Sequence, residues 1–149
     1  MKKFFRLLVA TMLLAVTATA LCSCGVPSDP AKAKANLEKN GYTAASIKGS
    51  YNGSFISIKT GIEYTVTGIK GEDNVTIVYF SEKDDAEKAY NEFKDAHDKS
   101  LKELKDNYSD GKIDKDAYDK AKAALDNVKF GKSGKIFYSG TKAGVKAAN

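Results

Sequence analysis

Residues 62–80 read IEYTVTGIKGEDNVTIVYF, and their pattern decides the fold. Ile62, Tyr64 and Val66 alternate with Glu63, Thr65 and Thr67, the period of a half-buried strand whose apolar side chains share one face. Gly71 to Asn74 supplies turn chemistry. Val75 to Phe80 is a denser apolar run with β-branched and aromatic residues, which predicts the central strand of a sheet. Two such strands joined by so short a turn pair antiparallel.

Downstream, the period changes from two to three and four. Ser81 with Asp84 three residues later predicts an acidic variant of the capping box. After it Ala86, Ala89, Tyr90, Phe93, Ala96, His97, Leu101, Leu104 and Tyr108 form one helical stripe. On the opposite side Asp84 with Lys88, Asp95 with Lys99 and Asp98 with Lys102 are spaced as acid-first i,i+4 pairs. Asp110-Gly111 breaks this helix and Asp114 caps a second one, whose stripe is Ala117, Tyr118, Ala121, Ala124, Leu125 and Val128. The two form an αα-hairpin. Phe130 to Ser139, interrupted at Gly131 to Gly134, then predicts a last strand or strand pair, and Thr141 to Ala148 a terminal helix.

Upstream, Asp29-Pro30 is an N-cap followed by a favourable first helical residue, and Gly41 is a stop, so a short helix is expected from Pro30 to Asn40. Strands are expected at Tyr42 to Ile47 and around Phe55, Ile56 and Ile58, with the turn-rich Gly49 to Gly53 between them. The expected class is therefore α+β: a small antiparallel sheet with helices packed on one face, including the αα-hairpin before the last strand.

The N-terminus has a different character. Lys2, Lys3 and Arg6 precede an uncharged, largely apolar run from Leu7 to Leu21, which is the layout of an export signal and too short for a spanning helix of about 20 residues. Leu21-Cys22-Ser23-Cys24 resembles the lipobox of bacterial lipoproteins, in which a Leu and two small residues precede the Cys that receives diacylglycerol. Cys24 matches the acceptor; Cys22 occupies the second small position, where the family more often carries another residue. The resemblance implies a signal peptide over 1–23, a lipidated Cys and short tether over 24–28 and one α+β domain over 29–149. The tether, at about 3.3 to 3.6 Å per residue, reaches about 14 Å when extended. Two acyl chains anchor stably where one is marginal. The implied place is the extracytoplasmic side of the cell membrane.

Two further resemblances cover less. Residues 101–125, from Leu101-Lys-Glu-Leu104 through Gly111-Lys-Ile113 to Ala117-Tyr118 and Leu125, are similar to the helical hairpin of SHOCT, a short C-terminal domain of bacterial proteins. The chain after the leader is also similar to small uncharacterised lipoproteins of Gram-positive bacteria, which implies a location without an activity.

Composition excludes several functions. With one His and both Cys inside the lipobox stretch, a disulfide framework, a structural zinc site and a Cys/His nucleophile pair lack their residues, and no metal or cofactor is expected. After the leader no Arg remains, which removes the bidentate fork that reads bases and phosphates, and nucleic acid is not an expected partner. Lys129, Lys132, Lys135, Lys142 and Lys146 lie in a C-terminal stretch with no acid, so they are the candidate contacts to an anionic surface.

The remaining motifs fail on individual residues. Asp106 to Ala117 matches several EF-hand positions, but Tyr108 and Ala117 stand where two ligands belong. Gly131-Lys-Ser133 lacks the first Gly of a P-loop, since Asp126 is there, and is expected to be a turn. His97 and Ser100 lack an orienting group and an oxyanion hole, so His97 is expected to be a packed boundary residue. Tyr64, Tyr79, Tyr90 and Tyr118 sit at core-like periods.

A binding or envelope-interaction module is the expected function. Its partner would be an envelope protein, a peptide or an anionic wall polymer. The alternatives are a structural accessory of a membrane complex and a small envelope enzyme using carboxylates.

Overall fold

A computed structural model describes residues 25–49, 51, 57–58 and 60–149. The elements are α1 (Pro30–Lys39), β1 (Thr43–Lys48), β2 (Ile62–Lys70), β3 (Asp73–Phe80), α2 (Lys83–Ser109), α3 (Lys115–Asp126), β4 (Val128–Ser133), β5 (Ile136–Thr141) and α4 (Lys142–Ala148). The sheet runs β1-β2-β3-β5-β4 with every neighbouring pair antiparallel, and β3 is central. The α+β class read from the sequence is the observed one, and the interrupted segment 130–139 is a hairpin of two strands. The lipobox and the Phe55–Ile56 part of an expected strand lie outside the described residues. Ile58 is in irregular chain packed against the core. Among the described residues no helix is long and apolar enough to cross a membrane.

One expectation is corrected: helices cover both faces of the sheet. Val75, Ile77 and Tyr79 of β3 join Val66, Tyr138, Ala33, Leu37 and Val145 in a core under α1 and α4. Val78 and Phe80 point the other way, with Ile62, Phe137, Ala86 and Ala89, under α2. The unbroken apolar run 75–80 is the mark of a strand buried on both sides. Small residues let the layers meet: Leu37 of α1 lies over Gly68, where an added Cβ would be 3.0 Å from Leu37 Cδ1.

Local chemistry differs in detail. Asp29 caps α1 by accepting from the Ala31 amide at 2.8 Å, and Asp114 caps α3 by accepting from Ala117 at 2.8 Å. At α2 the expected Ser81 box does not form; Glu82 is the N-cap residue and its side chain caps nothing. Asp84 and Asp85 still place negative charge in the first turn, which favours the helix start. The i,i+4 ion pairs run cation first, Lys94–Asp98, Lys99–Glu103, Lys115–Asp119 and Lys122–Asp126, and the expected acid-first pairs do not form. All are exposed, so each contributes only a few tenths of a kcal/mol. Past Phe93 and His97, α2 leaves the sheet and packs on α3, and Tyr108 stacks on Tyr118 at 4.5 Å between centroids.

Candidate functional site

The same face that α2 covers at one end is open at the other. Pairing brings Thr67 opposite Thr76 and Thr76 opposite Ser139, so three hydroxyl residues form a row across β2, β3 and β5. Neighbouring strands lie about 4.8 Å apart, which sets the spacing of the row. Thr65 and Thr141 flank it in the floor of a groove of ≈ 630 Å³. Phe93 of α2 with Ala123, Ala124 and Asn127 at the end of α3 forms one wall, and Ile47 and Tyr51 line the other side. Glu72, on the β2–β3 turn, and Asn74, at the start of β3, stand at the mouth.

The floor hydroxyls are not equivalent. Thr141 Oγ1 accepts the Gly144 amide at 3.1 Å as the cap of α4 and donates to the Asn74 carbonyl at 3.4 Å. Thr65 is 4% exposed and already engaged. Thr67, Thr76 and Ser139 are half-exposed, and no described residue makes a hydrogen bond to their hydroxyls. Each therefore offers a donor and two acceptor positions to a ligand. Glu72 is the one carboxylate among the described lining residues, which include no Lys, Arg or His. The described surface offers neutral hydrogen bonds and apolar contact.

The five candidate lysines are not gathered into one surface. Lys132, on the α2 face, bridges Glu87 at 2.6 Å and lies over the Tyr90 ring, so it has an acid partner after all. The hydrogen bond from Lys132 and its charge hold the Glu87 carboxyl below the usual carboxylate range. Lys135, at the β4–β5 turn, donates to the Ser81 carbonyl. Lys129 pairs with Gly140 in register and lies on the face of β4 opposite Lys132, and Lys146 is on α4. The hydrogen bond from Lys122 holds the Asp126 carboxyl below its usual range, and Lys142 at the start of α4 lies near enough to the end of α3 to help. Strand alternation sends neighbouring lysines of β4 to opposite sides, which sequence proximity conceals.

His97 packs on Phe130 at 5.3 Å between ring centroids, with Nε2 3.3 Å from the Leu125 carbonyl, and is the boundary residue expected. Ser100 donates to the Ala96 carbonyl at 2.9 Å, a bond within its own helix. In the calcium-like loop Asp110 pairs with Lys112 and Asp114 caps α3, so both carboxylates are committed elsewhere. No group of three metal-binding side chains gathers among the described residues. Gly131-Lys-Ser133, expected as a turn, is strand, and the turn is at Gly134. Of the four tyrosines, Tyr79 is buried, Tyr90 and Tyr118 are half-buried, and Tyr64 is 36% exposed.

Thr67, Thr76 and Ser139 did not stand out in the sequence. The available signal was Thr in place of Lys or Glu on the polar side of β2, and it acquires meaning only with the register that aligns three strands. No family model, curated protein or solved structure matches this chain.

Proposed function

We propose that the chain is an exported binding module, held at the extracytoplasmic side of the membrane by diacylglycerol on Cys24, whose groove takes a neutral saccharide of the cell envelope. The row Thr67, Thr76 and Ser139 carries the reading. Sugar hydroxyls act as both donors and acceptors and match side chains of the same kind, while the threonine methyls, Phe93 and the α3 alanines offer contact to the C–H faces of a sugar ring. With no cation in the described lining and one carboxylate at its mouth, the groove disfavours an anionic polymer. Catalysis is the weaker reading, because the described lining residues supply no paired ionisable groups for proton transfer.

Two experiments test this. Labelled palmitate is expected on the wild-type protein and on Cys22→Ser, and Cys24→Ser is expected to lose both label and membrane association. Label retained by Cys24→Ser would end the anchoring assignment. For the groove, calorimetry with neutral N-acetylhexosamine oligomers, a teichoic-type polymer and random peptides should give heat with the first alone. Thr67→Val, Thr76→Val and Ser139→Ala should each weaken that binding roughly fivefold, the equivalent of about 1 kcal/mol for one neutral hydrogen bond. Unchanged affinity in the triple variant would exclude the row as the binding surface.

A further inference from the structure

The segment between Cys24 and α1 does not behave as a four-residue tether. Val26 is 5% exposed and belongs to the core cluster under α1 and α4. The Pro27 carbonyl accepts a hydrogen bond from Tyr79 Oη at 2.9 Å, and Tyr79 itself is 4% exposed. Gly25 lies beside the β4–β5 hairpin, since a Cβ added to it would be 3.8 Å from Ser133. The chain is thus attached to the domain from the residue that follows Cys24. A link of one residue reaches about 3.3 to 3.6 Å, against about 14 Å for a free tether.

The attachment lies at a defined end of the sheet. Tyr79 is the last but one residue of β3 and Ile136, in register with it, opens β5, while Asn74 at the groove mouth and Thr141 in its floor lie at the opposite ends of the same strands. The five residue steps from Asn74 to Tyr79 span about 17 Å of strand.

We propose that Gly25–Pro27 is a clamp that fixes how the anchored domain stands on the bilayer, with the β4–β5 turn against the lipid headgroups and the groove mouth turned away from them. This rests on Cys24 carrying the lipid. The partner surface is the bilayer itself, met through geometry more than charge: Lys32 and Lys135 line this end together with Asp29 and Glu63. The orientation is therefore insensitive to salt, whereas orientation by a lysine patch weakens as salt shortens the Debye length. It leaves the groove open to envelope ligands.

The test uses the full chain, processed in a bacterial host, purified from membranes and reconstituted in phosphatidylcholine vesicles containing a headgroup quencher. Fluorescent probes are placed at Ser133→Cys or Glu72→Cys, and palmitate labelling is measured on the same preparations. Quenching is expected to be several-fold stronger at position 133 than at 72, at low and high salt alike. Val26→Asp should remove the difference. Tyr79→Phe, which loses only the bond to Pro27 and keeps the ring, should narrow it and serves where Val26→Asp does not fold. Equal quenching at both positions in a palmitate-labelled protein overturns the clamp alone, as does a difference that survives both substitutions. Absence of palmitate overturns the anchoring assignment and the orientation with it.

Discussion

Phe137→Ala is expected to lower the stability of the domain by about 3 to 5 kcal/mol, the cost typical of removing a buried aromatic ring from a core that relaxes only in part. Phe137 is 1% exposed and sits where α2 meets the sheet, its ring 5.6 Å from that of Phe93 and its cluster shared with Val78, Phe80, Ala86 and Ala89. The alanines on α2 bring the helix backbone close to the sheet, so a missing ring leaves a void that helix movement closes only at the cost of other contacts. Domains of this kind have about 5 to 15 kcal/mol in total, so a large share of the stability is lost. Urea denaturation should show a lower midpoint with an unchanged slope. Tyr108→Ala is the control: its ring stacks on Tyr118 but is 40% exposed, at the far end of the helical hairpin. A loss of about 1 kcal/mol is expected there. Equal effects of the two substitutions would mean that the hairpin tip contributes as much as the sheet core, contrary to the burial observed.

Gly144→Ala is expected to cost about 3 kcal/mol for the opposite reason, an atom added where there is no room. The first turn of α4 lies on the start of β3, and a Cβ at Gly144 would be 2.8 Å from the Asn74 carbonyl carbon and closer still to its oxygen. At Gly140 an added Cβ would be 2.7 Å from Val75 Cα and also too close to the Asn74 oxygen. The atoms met are backbone, so no rotamer change relieves the clash. Neither glycine is in the left-handed region, which makes the demand one of space and not of backbone conformation. By contrast, Gly71 has nothing within 4 Å of an added Cβ and a φ of +59°, so its substitution strains the turn without disturbing the core. A thermal melt distinguishes the cases: Gly144→Ala should fall by about 10 °C, given a few degrees per kcal/mol for a domain of this size. Since Asn74 is also at the groove mouth, Gly144→Ala should disturb ligand binding as well. An unchanged melting temperature would show that α4 is free to shift away from β3.

Local order was written plainly in the residues. The alternation in 62–67 and the dense run 75–80 predict two strands and the turn between them, and both strands form there, although a register shift between Ile62 and Tyr64 puts Ile62 and Val66 on opposite faces and breaks the expected single apolar face. The stripe from Ala86 to Tyr108 predicts a long amphipathic helix, and the caps Asp29 and Asp114 act at the positions expected. These features depend on contacts within a few residues, and dihedral preference, capping and hydrophobic period record such contacts directly.

What the tertiary structure alone decided is where those elements go and what they assemble. The sequence pattern places α1, α2 and α4 along the chain and is silent on which side of the sheet each covers; α2 took one face, α1 and α4 the other. Inserting β5 between β3 and β4 places Ser139 beside Thr76, residues more than sixty apart in the chain, and so completes a hydroxyl row of which β2 alone held one part. The same register sends Lys129 and Lys132 to opposite faces, although they are close along the chain. Val26 and Pro27, which read as tether, are held by a core residue and a Tyr79 hydroxyl fifty positions away. In each case the deciding energy is long-range burial or pairing, and a strand's side chains change face with every one-residue shift of register.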